Sequence, residues 1–227
     1  MGSREKRVIM KYQILHGNAF PIVKIDLMQG EQVQAESDAM VSMSGTLDIG
    51  GTMGGGNIFN GLARRFLANE SFFMQKITAS RGPGWVVLGH DKPGGIMDVT
   101  LDGSYGLRVQ KNGYLASVGN IQVDTAVQNL AQGLASREGF FVLNVRGTGT
   151  AFISSYGAIH QIDIAAGEEV LVDNGHLVAW PDYMNYRMER ASNGWISSAT
   201  SGECLVCRFR GPGAILVQTR KPVIPNQ

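Results

Sequence analysis

The chain has 227 residues, 20 of them Lys or Arg and 19 Asp or Glu, which leaves a net charge of +1. That balance supplies no basic footprint for nucleic acid, and nucleic acid is not expected as a partner. Hydrophobic residues are 44% and charged residues 17% of the chain, a composition that excludes wholesale disorder. Length allows one large domain or two small ones.

Taken from the N-terminus, the first apolar run is too short for the core of a signal peptide, and no small-residue cleavage site follows. Met10, followed by Lys11, Tyr12 and Gln13, reads as the natural start, with residues 1–9 an added extension. The uncharged stretch 49–63 is glycine-rich and too short to span a bilayer. Two cysteines, Cys204 and Cys207, are far too few for a disulfide-stapled secreted scaffold. These features predict a soluble cytoplasmic protein.

Short runs rich in β-branched and aromatic residues dominate the rest. Ala151-Phe152-Ile153, Ile162-Asp163-Ile164, Glu169-Val170-Leu171-Val172 and Ala214-Ile215-Leu216-Val217 are examples, and turn residues bound them. The 30 glycines, about twice the usual share, follow no collagen period and so belong to turns and bulges. Helical spacing is convincing in few places. One is 60–67; another is 124–134, which reads equally well as an extended crossover.

The chain also repeats itself. Arg-Gly-X-Gly occurs at Arg81, Arg146 and Arg210, at spacings of 65 and 64 residues. Ahead of it, Gly30-Glu31, Gly103-Ser104 and Gly167-Glu168 each lead to an apolar pair near Val41, Leu115 and Val178. A glutamate precedes an apolar strand at Glu70, Glu138 and Glu203. The three landmarks keep one order. The expectation is an all-β domain over 10–220, made of three tandem β-repeats packed around a pseudo-threefold axis. The repeats run over about 10–84, 85–149 and 150–213, with a closing strand at 214–220 and a tail at 221–227. Units this small share one core more readily than they stand alone.

Certain stretches resemble a known family. They are Gly147-Thr148-Gly149-Thr150-Ala151-Phe152, Asp173-Asn174-Gly175-His176-Leu177-Val178-Ala179-Trp180, Gly211-Pro212-Gly213, Glu70-Ser71-Phe72-Phe73 and Ala35-Glu36-Ser37-Asp38. The family is the altered-inheritance-of-mitochondria proteins and their bacterial relatives, and the likeness covers about 10–220. The resemblance implies a fold similar to the tryptophan-RNA-binding attenuation protein, of TRAP-like or double-stranded β-helix type, with three units fused. Fungal members are linked to mitochondrial organisation, and bacterial members generally lack an assigned activity. No catalytic set comes with the resemblance. Glu203-Cys204-Leu205-Val206-Cys207 departs from the family pattern, and the attenuation protein's tryptophan and RNA sites have no matching residues here.

The candidate chemistry is sparse. Cys204 and Cys207 have redox or zinc spacing but lack two further ligands, so buried thiols are expected and no metal site or cofactor is assigned. Asp173 and His176 form a polar turn that could serve a ligand or hold a loop. Glu70, Glu138, Glu203, Arg81, Arg146 and Arg210 would form rings of equivalent charge if the units are symmetric, for structural pairing or for an ion. The run 50–56 lacks the Gly-Lys-Ser/Thr of a phosphate loop. Ile58, Phe59, Leu62 and Phe66 lie in an insert of the first unit and form a candidate contact patch. No catalytic residue is assigned. The expected function is a non-enzymatic scaffold or binding module, a homo-oligomer by default, with an unidentified protein or a membrane surface as competing partner. The alternative is a small-ligand or metal-binding protein of cupin-like shape, with RNA binding a third reading by analogy alone.

Overall fold

The computed structural model describes residues 10–17, 19–53, 73–127, 141–190 and 205–222. Among them the regular structure is antiparallel β, with two single-turn 3-10 segments. No helix among these residues is long and apolar enough to cross a membrane.

The first stretch supplies β1 (Lys11–Leu15), β2 (Ile22–Leu27), β3 (Gln32–Glu36), β4 (Met40–Met43), β5 (Asp48–Met53), β6 (Phe73–Thr78) and β7 (Gly84–Leu88). β2 shows why these residues form strands. Val23, Ile25 and Leu27 are buried while Lys24 and Asp26 face outward, the period-two pattern of a half-buried strand. β7 lies between β2 and β4, and β6 lies between β3 and β5.

The second stretch has fewer, longer strands: β8 (Ile96–Asp102), β9 (Leu107–Gln110), β10 (Tyr114–Val127) and β11 (Phe141–Ser154). β10 and β11 form one hairpin ladder from Tyr114–Ile153 to Val127–Phe141. One half of β11 pairs with β8 and the other half with β9. Glycines stand where the two long strands approach most closely. Gly119 faces Gly149, and a Cβ on Gly147 would lie 2.0 Å from the Asn120 carbonyl oxygen.

The third stretch supplies β12 (Ile159–Ile164), β13 (Glu169–Asp173), β14 (Leu177–Pro181), β15 (Tyr186–Arg190), β16 (Leu205–Arg210) and β17 (Gly213–Gln218). β17 lies between β12 and β14, and β16 between β13 and β15. Two ladders join the stretches. β3 pairs with β10 (Ala35 opposite Ala116), and β9 pairs with β14 (Val109 opposite Ala179). The register slips by one residue at Val41, Leu115 and Val178, each a β-bulge.

The core forms three clusters. The first centres on Val23, Ile25, Leu88 and Phe152, the second on Val109, Tyr114 and Leu143, the third on Trp180, Phe209 and Ile215. β10 contributes Leu115 and Ala116 to the first cluster and Tyr114 to the second. The helical option for 124–134 is corrected at its start. Asp124 to Val127 close β10, paired with Asn144 to Phe141, because the partner strand satisfies their backbone groups. Gly50 and Gly51 belong to β5. The candidate helix at 60–67 and residues 1–9 lie outside the described residues.

Candidate functional site

The three arginines of the repeated tetrapeptide sit in different places. In β16, Phe209 faces Val170 and Arg210 follows it; in β11, Val145 faces Leu107 and Arg146 follows it. In β6, Ile77 faces Val33, and the residue that follows is Thr78. Arg81 stands three residues further on, past the strand end. Its guanidinium bonds the Asp48 carboxylate and donates to the Gly45 and Leu47 carbonyls at 2.6 and 3.1 Å. Arg146 instead bonds Asp182, with Nε and Nη2 each 2.9 Å from Oδ2. Two of the arginines are thus held by separate aspartates. Glu70, Glu138, Glu203, Ile58, Phe59, Leu62 and Phe66 lie outside the described residues.

Arg210 belongs to a basic face on the sheet of β13, β16 and β15. Arg187 stands directly opposite Arg208 across the β15–β16 ladder. Like charges in facing positions repel. Arg208 is compensated by Glu189 at 2.6 Å and Glu169 at 3.4 Å. A cavity of about 340 Å³ on this face is lined by Glu169, Asn185, Tyr186, Arg187, Arg208 and Arg210.

The polar turn after β13 is bound tightly to β17. Asp173 Oδ1 accepts the Gly175 N–H at 2.8 Å, and Oδ2 takes the Lys221 ammonium. His176 Nδ1 lies 2.7 Å from the Gln218 carbonyl, so this nitrogen carries the proton. Gln218 Nε2 donates to the Gly175 carbonyl at 2.8 Å. Burial opposes ionisation of Asp173, but the bonds from Lys221 and Gly175 outweigh it and hold the carboxyl below its ordinary range.

Cys207 is buried in β16, facing Val172 and Met188. Burial, and after it the charge of Asp173, pushes its thiol up to about 12, which leaves a protonated, unreactive side chain. Cys204 lies outside the described residues. Among the described residues no group of three His, Cys, Asp or Glu side chains could hold a metal ion.

One cluster carried no sequence signal beyond the triplet His90-Asp91-Lys92 after β7. The His90 side chain is 5% exposed. Its Nε2 lies 3.4 Å from Glu36 and 3.0 Å from Lys92 Nζ, and its Nδ1 lies 2.7 Å from Asp91. Lys92 Nζ also donates to the Asn112 carbonyl at 2.5 Å. Both signs of charge are present, so the cluster balances itself across the join of the first two stretches.

Among the described residues several strands pair along one side only, β4 and β13 among them; β4 pairs only with β7, and β13 only with β16. Val41, the bulge residue of β4, is 60% exposed, whereas the bulge residues Leu115 and Val178 are 0% and 2% exposed. Leu171, on β13, is 40% exposed.

These features define an all-β protein of antiparallel sheets with, among the described residues, strands paired along one side only and a cluster of arginines on one sheet. The chain belongs to the Mitochondrial biogenesis AIM24 family, which it matches over residues 12–220. It is 30% identical over 216 residues to an uncharacterised protein of Streptococcus pyogenes serotype M6, covering 92% of this chain and 86% of that one. Its backbone is similar to the X-ray crystal structure of a Streptococcus pyogenes protein. The TM-score is 0.74 at 30% identity, with 93% of this chain and 94% of that chain covered. Family membership agrees with the resemblance carried by the sequence.

Proposed function

We propose that the chain is a non-enzymatic β-scaffold of three successive units that acts by binding and assembly. The observation that carries this reading is the recurrence of one pairing scheme. The opening strand of each unit pairs with its closing strand: β2 with β7, β8 with β11, β12 with β17. In each unit the register slips once at the strand that follows. Gly30, Gly103 and Gly167 all turn the chain at positive φ, +87°, +91° and +83°. By this pairing the units are about 11–88, 96–154 and 159–218. Closing strands β7 and the end of β11 then belong with the units they complete, not with the next ones. A three-unit TRAP-like arrangement fits this scheme. Its third join, between the last unit and the first, is not hydrogen-bonded among the described residues.

A scaffold needs accessible edges, and among the described residues β4 and β13 each pair along one side only. A second reading, an anion-binding protein, rests on the cavity where Arg187, Arg208 and Arg210 meet. Native mass spectrometry of the purified protein separates the two. The scaffold reading expects protein mass alone in each copy. A small molecule or metal retained in stoichiometric amount would overturn it.

A further inference from the structure

We infer that the arginine-lined cavity on the sheet of β13, β16 and β15 docks a single carboxylate carried by a protein partner, with an apolar side chain beside it. The inference rests on the scaffold reading and names the chemistry of the partner that the scaffold holds. Residues directly opposite each other across a ladder share one face. Arg208 stands between Arg187 on β15 and Leu171 on β13, and Arg210 stands opposite Glu169. One face therefore carries Arg187, Arg208, Arg210 and Leu171 together, and the cavity of about 340 Å³ opens among the three arginines.

The charges on this face do not cancel. Arg208 is occupied, by Glu189 at 2.6 Å and Glu169 at 3.4 Å. Arg187 and Arg210 are exposed and pair with no acid among the described residues. Like charges set side by side on a sheet cost stability, and an anion between them turns that repulsion into attraction. Three arginines against two glutamates leave one positive charge, which matches a carboxylate monoanion. A phosphate group, with close to two negative charges, would exceed it and meet Glu169. Guanidiniums also hold a carboxylate in a forked geometry, two N–H groups to two oxygens.

The shape of the cavity decides what carries the carboxylate. Sites for small molecules enclose most of their ligand. Here Glu169, Asn185, Arg187 and Arg210 are all exposed, so a small acid would remain largely in water. A side chain anchored in a partner brings further surface with it. Leu171, 40% exposed and opposite Arg208, offers that surface an apolar contact.

The test uses the full chain with isotope-labelled arginine, whose side-chain Nε–H signals report on the site in NMR spectra. The probes are acetyl-Leu-Glu-amide, acetyl-Leu-Gln-amide, acetate and inorganic phosphate. The Arg187 and Arg210 signals, assigned by their loss in Arg187→Gln and Arg210→Gln, should shift saturably with the Glu peptide, and at lower concentration than with acetate. The Gln peptide should not move them. Each substitution should weaken binding of the Glu peptide by about threefold or more, while Arg146→Gln leaves it unchanged. Arg187→Gln should melt no lower than the wild type, because it removes a facing like charge. No shift with the Glu peptide, equal shifts with the Gln peptide, tighter binding of phosphate, or an Arg187→Gln protein that loses stability along with binding would each overturn the inference. Acetate binding as tightly as the peptide would overturn a protein as the source of the carboxylate. Any of these results, with protein mass alone in native mass spectrometry, leaves the scaffold reading standing; a retained small molecule removes that reading.

Discussion

Asp182 grips Arg146 with one carboxylate oxygen and the Gly106 N–H with the other, at 2.9 and 3.1 Å. Arg146 is 62% exposed and Asp182 only 16%, so the two partners are unequal. Losing Asp182 leaves a half-buried N–H without its acceptor. Asp182→Ala is expected to cost about 1–3 kcal/mol, and Arg146→Ala less than about 1 kcal/mol. Urea unfolding of both variants checks this; equal losses would mean that the ion pair, not the loop anchor, is what Asp182 supplies.

Glycine positions differ in the same way. At Gly147 φ is +123°, and an added Cβ would press on the Asn120 carbonyl in the facing strand. Gly147→Ala therefore breaks the close approach of β10 and β11 and is expected to leave little folded protein at room temperature. Gly30 has φ +87° but open space around it. Gly30→Ala meets only the backbone penalty, about 1–2 kcal/mol. Circular dichroism melts of the two variants should separate clearly.

Cys207 provides a test at high pH. Its folded pKa is raised from 9.0 to about 12, so the unfolded thiol ionises first. The contribution to stability is fully present below about 9 and falls as pH rises toward the folded value. In a Cys204→Ser background, iodoacetamide at mildly alkaline pH should leave the native protein unmodified and label it fully once unfolded. Fast labelling of the native protein would contradict the buried position.

Asp173 provides the acid counterpart. Its folded pKa lies below the ordinary 3.8, so the stabilisation from its Lys221 and Gly175 partners is present above that value. It is lost as pH falls through the folded pKa. A melting-temperature series carried into acid should fall more steeply for the wild type than for Asp173→Asn. Parallel curves would show that the turn does not depend on the charge.

Much of the fold was legible in the chain. The runs Ala151 to Ile153, Ile162 to Ile164, Glu169 to Val172 and Ala214 to Val217, rich in β-branched residues, all lie in strands, β11, β12, β13 and β17. The turn glycines Gly30, Gly103 and Gly167 stand where the backbone turns at positive φ. The candidate site was far less legible. Arg81 matched Arg146 and Arg210 by tetrapeptide, yet the ladder puts Thr78 at their level. Extra residues after β6 carry the motif past the strand end, and motif spacing does not register them. His90 meets Glu36 across a turn that spacing does not reveal.

The sequence by itself determined the strand-forming runs, the turn positions and the membership of a family. These are local properties, written in β-branched alternation and in glycines that tolerate positive φ. Tertiary structure alone decided which strand faces which and which arginine finds which aspartate. Each of those depends on pairing between residues far apart in the chain. A shift of one residue turns every side chain of a strand to the other face, so only the packed core selects the register.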